Sequence, residues 1–459
     1  MLKTSLTKKT LRPYQIEDLA FYINNPRVLN RSEPATGKTA PSCAMAEYVW
    51  RYENGATLFI QPKSIIRKNF YEMLECTTCF DEDDLFIFDP KKIAKLKRAP
   101  KVILTTADTL ARHWGMIKEI VAAPIKLCLA DETHLYFSTS SSKRTQFWLG
   151  VMKEIPRMVA MTGTPIRGRM DSIYPIIQAI EPRYYGTHAR FIAEHAIKDF
   201  YTNNIIGWTR HDKLGRILLK HGINRTFKEC YGAEKKVIIP VTLDLPPQQR
   251  KVYDEFHEKA MLELNDDEVL TASNMGVHTI RCRQLLAHPE TMLLSGWKPE
   301  ANQKDQWVLD EICESYQTAL LFCTLVAEQE RLYKLLTSKG YRVGLINGSV
   351  SLNRRAEIDR MFQCGELDYI VASPATAGVG FNWQRADCVV FVSSDYMDDN
   401  IVQAYRRAIR GIRETALPIY VLRYDDSVDF RILEIVEKKS ALAAKVDPSR
   451  DVLTGLSTK

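Results

Sequence analysis

Short apolar runs alternate along the chain with segments of helical length, and they do so in two sets. The first set is Arg27–Asn30, Ala56–Gln61, Val102–Thr105, Ile125–Ala130 and Met158–Met161. The second is Ala319–Cys323, Arg342–Ile346, Tyr369–Ala372, Cys388–Val392 and Ile419–Leu422. Nearly continuous apolar runs spaced by helices are the pattern of parallel strands buried on both faces. Two sets predict an α/β chain with two doubly wound parallel-sheet lobes. The stretch between them, roughly 166–310, is richer in aromatic and charged residues and reads mainly as helix. Leu245-Pro-Pro-Gln-Gln-Arg-Lys-Val-Tyr-Asp-Glu-Phe256 has the form of a helix opened by prolines, and Gly296–Asn302 that of a linker. The expected division is 1–180 for the N-terminal lobe, 181–300 for a mainly helical insert and linker, and 301–459 for the C-terminal lobe.

The run at Val28 leads into Ser32-Glu-Pro-Ala-Thr-Gly-Lys-Thr39 and then a helix-compatible segment from Ala40. Strand, loop and helix in that order are the setting of a phosphate-binding loop, where backbone N–H groups and the helix dipole face an anion. Gly37 lets the backbone come close, Lys38 suits the β- and γ-phosphates, and the Thr39 hydroxyl suits Mg²⁺. Ser32 and Ala35 stand where glycine is common in such loops. Leu127-Cys-Leu-Ala-Asp-Glu-Thr-His134 is an apolar strand ending in two carboxylates. In an open parallel sheet those acids belong beside the phosphate loop. There Asp131 would hold Mg²⁺, Glu132 would orient and deprotonate an attacking water, and His134 would relay the nucleotide state. In the second set, Asn400–Arg413 reads as a basic helix with Gln403, Arg407 and Arg410 on one face. Such arginines can stabilise phosphoryl-transfer charge; a solvated basic helix, or one lying on nucleic-acid phosphates, fits the same spacing.

Composition narrows this picture only slightly. A chain of 459 residues with 45% hydrophobic and 26% charged residues has room for two or three domains. No apolar run is long enough for a membrane span and no secretory signal is visible, so an intracellular setting is expected. A net charge of +7 suits an acidic polymer but does not demand one. The ten cysteines sit largely in apolar runs, as reduced core residues do. The single Cys76-Thr-Thr-Cys79 lacks the second pair that a zinc site needs.

Taken together these residues resemble superfamily 2 helicases and translocases of the Swi/Snf-like branch, along most of the chain and in the family's order. Leu11-Arg-Pro-Tyr-Gln15 resembles the adenine-reading Q motif, and Ser32–Thr39 resembles motif I. Gln61-Pro-Lys-Ser64 and Leu104-Thr-Thr-Ala107 resemble the backbone-touching motifs Ia and Ib, Asp131–His134 motif II, and Met161-Thr-Gly-Thr-Pro165 motif III. Ile346-Asn-Gly348, Ser373–Asn382 and Gln403–Arg410 resemble the second-lobe motifs through V and VI. Val241–Tyr253 and Arg283–Pro289 resemble Swi/Snf segments rather than the DEAD-box branch.

The resemblance implies two tandem RecA-like lobes with one ATP site between them, using ATP and Mg²⁺. Arg12, Gln15, Ala35, Thr36, Gly37, Lys38, Thr39, Ala40, Gly378 and Gln403 would bind nucleotide. Lys38, Asp131, Glu132, Arg407 and Arg410 would act in catalysis, with Arg410 the arginine finger, and Thr39 and Asp131 would ligate the metal. His134, Thr162 and Thr164 would couple hydrolysis to movement. Lys63, Thr105, Thr106, Asn347, Ser373 and Thr376 would hold DNA. Departures are Ala375, where this branch usually has lysine, and Gly-Ile-Arg after Arg410. They point away from a chromatin remodeller towards a lean, monomeric motor that resembles bacteriophage branch-migration helicases, acting on forked or branched DNA in the host cytoplasm. A duplex translocase that separates no strands, and a DNA-binding scaffold with a decayed motor fold, are the competing expectations. For strand separation the aromatic and basic residues of the insert stand out, Tyr184, Tyr185 and above all Trp208, with packing of the insert as the alternative.

Overall fold

The computed structural model describes residues 7–166, 169–266, 272–291, 302–377, 380–409, 413–446 and 452–457, without the side chains of 259–275 and 291. The chain divides into two compact units, residues 1–233 with 442–450, and residues 234–441 with 451–459. The boundary runs through the stretch expected as an insert, which contributes helices to both units.

The first unit is built on the strands β1 (Arg27–Asn30), β2 (Ala56–Ile60), β3 (Leu85–Ile87), β4 (Val102–Thr105), β5 (Ile125–Ala130), β6 (Arg157–Met161) and β9 (Gly222–Ile223). They lie in the order β3-β4-β2-β5-β6-β1-β9, all pairs parallel. Successive residues of each strand serve opposite faces. Leu29, Leu58, Ile103, Cys128 and Ala160 join one core with Trp148, Ile177 and Leu214. Val28, Phe59, Leu104, Leu129 and Met161 join another with Leu19, Met45 and Met73. Helices therefore cover both faces, which is why the runs read as continuously apolar.

The second unit carries β10 (Lys236–Leu243), β11 (Ala319–Phe322), β12 (Val343–Ile346), β13 (Tyr369–Ala372), β14 (Cys388–Phe391) and β15 (Leu417–Tyr424). Their order is β10-β15-β14-β11-β13-β12, again all parallel. The two doubly wound lobes expected from the apolar pattern are thus present. The strands that the pattern did not mark are β3, β9 and β10, each at a sheet edge, together with the hairpin β7 (Ala196–Lys198) and β8 (Ile205–Trp208). β3 and β9 are only three and two residues long, too short to mark a run, and β10 mixes half-buried and exposed residues and tolerates Pro240.

All ten cysteines are free. Among the described residues no helix is long and apolar enough to cross a membrane, and no group of three His, Cys, Asp or Glu side chains is placed to hold a metal.

The β7–β8 hairpin is tied at its base by a buried histidine. His195 Nδ1 donates to the Thr209 carbonyl at 3.1 Å, and Nε2 meets the Tyr185 hydroxyl at 2.7 Å. The ring is neutral in this arrangement, accepting from Tyr185. Burial lowers its pKa below the ordinary 6.5, an effect that outweighs the carboxylate of Glu194 and that Lys213 and Arg210 reinforce. The unfolded chain therefore takes up this proton first as pH falls, and stability is lost below about pH 6.5. The wild type should lose more stability between pH 7.5 and 5 than His195→Gln does, read as the shift in urea midpoint of each protein.

Candidate nucleotide and nucleic-acid site

Parallel strands bring their carboxyl ends to one edge, and in the first unit that edge carries the predicted residues in a row. Thr105 ends β4 and Thr106 follows it, Lys63 follows β2, Asp131–His134 follow β5, Thr162–Thr164 follow β6, and Ser32–Thr39 follow β1. Neighbouring strands lie about 4.8 Å apart, so these loops are in mutual reach.

The loop after β1 is held by its carbonyls. Tyr231 donates to the Ala35 carbonyl at 3.0 Å, Tyr14 to that of Thr36 at 2.9 Å, and Gln15 Nε2 to that of Gly37 at 3.0 Å. Gln15 Oε1 in turn accepts from Arg12 N, and the Arg12 guanidinium lies 4.6 Å from the Tyr231 ring centre. Gln15 is thus nearly buried and spent on the loop itself. A Cβ on Gly37 would come 2.7 Å from Gln15 Nε2, and its φ is +81°, so glycine is needed here. Ala35 has a φ of +70° without being glycine. An alanine there costs about 1–2 kcal/mol, which the hydrogen bond from Tyr231 offsets in part. The helix Thr39–Glu53 begins directly after Lys38, with Thr39 and Ala40 in its first turn and Pro41 tolerated beside them. Lys38 Nζ bonds the Ser32 carbonyl at 2.7 Å and the Glu33 carbonyl at 3.2 Å.

Residues after β9, from the stretch read as an insert, form a wall of this site. Arg31 N donates to Ile223 O, Glu33 N to Arg225 O, and Arg225 N to Ser32 Oγ. Arg225 also pairs with Asp18 and Glu17 of the helix Pro13–Asn24. The sequence carried no signal for this wall beyond Tyr231 in an ordinary helical context.

After β5, Glu132 sits at φ +50° and its N–H bonds Asp131 Oδ1 at 3.0 Å. His134 Nδ1 meets Thr162 Oγ1 at 2.7 Å and lies 3.5 Å from Glu132 Oε2. Thr162 Oγ1 accepts from Thr164 N at 3.1 Å, and Thr133 Oγ1 donates to Met161 O. His134, Thr162 and Thr164 are all buried, so the three residues expected to couple form one buried contact. Gly163 reaches across to the phosphate loop: a Cβ on it would stand 3.0 Å from Pro34 Cδ. The Tyr136 hydroxyl is pushed well above its usual pKa, first by burial and then by the charges of Asp131 and Glu132. One carboxylate and one hydroxyl, Asp131 and Thr39, match what Mg²⁺ takes from a protein when phosphate oxygens and water fill the remaining positions.

Of the expected DNA contacts in this unit, Lys63 is exposed. Thr106 caps the helix Ala107–Ile120, and Thr105 is buried with its hydroxyl on Thr106 O. Trp208 is half-buried and packs on the core near Phe191, while Tyr185 is buried. The packing alternative describes Tyr185, whereas Trp208 both packs beside Phe191 and lines a surface groove.

In the second unit Asn347 after β12 and Ser373 after β13 come together, with Ser373 N donating to Ile346 O. Ser373 Oγ bonds Thr376 Oγ1 at 2.8 Å, and Asn347 is buried with Oδ1 accepting from Ser349. The basic helix is shorter than expected. It spans Asp398–Tyr405 and includes Gln403, but Arg407 lies in the turn beyond it, its carbonyl accepting from Trp383 N. Arg406 N keeps the α-helical bond to Val402 O, and Arg407 N and Ala408 N then bond three residues back to Ala404 O and Tyr405 O, so the helix tightens into a 3-10-like turn that carries Arg407. Gly378 and Arg410 lie outside the described residues.

A family model described as an SNF2-related domain matches residues 14–291, more than half of the chain. The chain belongs to the SNF2-related family. A second model, the helicase conserved C-terminal domain, matches residues 303–411 of this SNF2-related chain. The chain is 24% identical over 470 residues to the probable ATP-dependent DNA helicase CHR12 of Arabidopsis thaliana, covering 95% of this chain and 42% of that protein. It is also 24% identical to the chromodomain-helicase-DNA-binding protein 1-like of Danio rerio, covering 90% of this chain and 41% of that one. The chain therefore spans less than half the length of these relatives. Among solved structures, the Sulfolobus solfataricus SWI2/SNF2 ATPase core in complex with dsDNA aligns over 98% of this chain and 94% of its own, at 20% identity and a TM-score of 0.45.

The Ala35–Tyr231 contact makes a specific expectation. Tyr231→Phe should lower stability by about 1 kcal/mol. Ala35→Gly should remove most of that penalty in the double variant, because glycine holds the same backbone unaided. Urea denaturation of the four proteins of this cycle measures the coupling.

Proposed function

We propose that this SNF2-related chain hydrolyses ATP, with Mg²⁺, to drive movement on DNA. The observation that carries the reading is the row of loops at one sheet edge, where the Lys38 loop, Asp131, Glu132 and the buried His134–Thr162 contact lie on three adjacent strands. In this reading Lys38 exchanges its two loop carbonyls for phosphate oxygens, and the N–H groups around Thr36, Gly37, Thr39 and Ala40 cradle them. Thr39 and Asp131 hold the metal, which neutralises phosphate charge. Glu132 orients water for attack on the γ-phosphorus, the β–γ bridging bond breaks, and ADP leaves. Loss of the γ-phosphate changes what Glu132 faces, and His134 passes that change to Thr162 and Thr164. Arg407, with Gly378, Gln403 and Arg410, supplies second-lobe groups, and Arg12 and Gln15 bear on the base through the loop they brace.

Lys63, Thr106, Ser373 and Thr376 grip the DNA backbone in this reading, without reading sequence. Strand separation on forked or branched DNA is the finer form of the proposal. Translocation on duplex DNA without strand separation is the second reading.

An ATPase panel on single-stranded, duplex, forked and four-way DNA tests the proposal, with strand displacement on a fork set against triplex displacement on plain duplex. DNA should stimulate turnover, and Lys38→Ala and Glu132→Gln should each lower it by roughly 10²–10³-fold. Arg407→Ala should lower turnover by about 10²-fold or more. A wild type that hydrolyses no ATP with any of the four DNAs would sink the reading. Full activity in Lys38→Ala would sink the site assignment alone.

A further inference from the structure

The most exposed large aromatic side chains of the first unit stand side by side at the tip of the β7–β8 hairpin. Phe200 and Tyr201 are each 91% exposed, and their rings meet edge to face with centres 5.4 Å apart. The tip is a built turn. Asp199 Oδ1 accepts from Tyr201 N at 3.1 Å, Thr202 N at 2.8 Å and Thr202 Oγ1 at 2.8 Å, and Asn203 takes a φ of +56°. The Asp199 carboxylate is thereby spent inside the turn, which holds its pKa below the usual carboxylate range. At the base, the His195 bonds to Tyr185 and Thr209 fix the hairpin to the lobe. Rings that fold for their own sake are buried; these two are held out in water by a turn that leaves them no core to join.

Beside the tip runs a groove of about 630 Å³, lined among others by Arg169, His188, Lys198, Asn203, Asn204 and Trp208. Its acid, Asp171, is engaged by Arg169 at 2.9 and 3.1 Å. The Lys198 side chain is exposed to solvent. A cation and two amides along a groove, on a hairpin whose turn exposes two rings, match an unpaired strand, with phosphates in the groove and bases stacked on the rings. The groove also presents Ile192, Ile205 and the Trp208 ring, apolar surface on which the flat face of a base can rest.

We propose that the β7–β8 hairpin binds unpaired nucleic acid, with Phe200 and Tyr201 stacking on bases and Lys198 holding the backbone. The inference rests on the DNA reading above but not on ATP hydrolysis. Composition points to Trp208, Tyr184 and Tyr185 in this part; Tyr184 and Tyr185 pack in the core, and Trp208 packs beside Phe191 while lining the groove. The available signal was Asp199-Phe-Tyr-Thr-Asn-Asn204, two aromatics enclosed by turn formers.

The experiment is nucleotide-free binding of the full chain to single-stranded, forked and blunt duplex DNA, by anisotropy. Phe200→Ala/Tyr201→Ala should weaken binding to the single strand and the fork on the order of ten-fold, with blunt duplex within about two-fold. Phe200→Trp/Tyr201→Trp should retain wild-type affinity. Lys198→Ala should reduce the slope of log affinity against log salt on the single strand by about 1. With 5-iodouracil in the unpaired arm, photocrosslinks should map to Phe200 or Tyr201. Equal loss on all three DNAs, no loss on any, or crosslinks elsewhere would overturn the proposal. So would a change in sedimentation of the DNA-free double alanine variant, which would assign the tip to a second copy of the chain. Because binding is read without ATP, a failed ATPase panel leaves this test intact, and the reverse holds too.

Discussion

Parallel pairing is the constraint from which the site follows. A parallel strand must return its chain to the starting edge through a crossover, so every strand of the first sheet delivers its carboxyl end to the same side. Five neighbouring strands, β4, β2, β5, β6 and β1, therefore gather residues as distant as Ser32 and Thr164 into one line. No side chain needs to be carried there by a long loop. The acids Asp131 and Glu132 and the threonines 162 and 164 stand on adjacent strands, so the His134–Thr162 bond crosses only one interstrand gap.

The phosphate loop illustrates how a backbone can keep its shape without all the residues usually chosen for it. Its two substituted positions are not equivalent. Ser32 uses its hydroxyl to accept Arg225 N, so a side chain there is useful. Ala35 adopts a left-handed backbone and is braced through its carbonyl by Tyr231. Tyr14 and Gln15 take the next two carbonyls, and the loop is thus clamped from a helix before it and a helix well after it in sequence.

Much of this was legible in the sequence where burial is two-sided. Buried strands such as Leu127–Ala130 and Val389–Phe391 are continuous apolar runs, and the motif residues follow them at fixed positions. The edges were less legible: β12 was marked by its apolar run, but β3 and β9 are very short and β10 is half-exposed and interrupted by Pro240. Spacing also misled where a helix ends early: Arg407 is four residues from Gln403, but the helix stops at Tyr405. Trp208 shows a further limit. Aromatic composition cannot distinguish a ring packed on Phe191 from a ring in water such as Phe200; only the turn around Asp199 decides which is which.

The first unit is discontinuous, and that has a bearing on how the molecule is made. Residues 442–450 belong to it, and Val446 lies in the same core as Leu214 and Leu218. During synthesis the first sheet can form as soon as β9 has left the ribosome, yet its core stays open at one place until Val446 has been translated. The interior of the first unit is therefore closed by residues that follow the last strand of the second sheet in the chain.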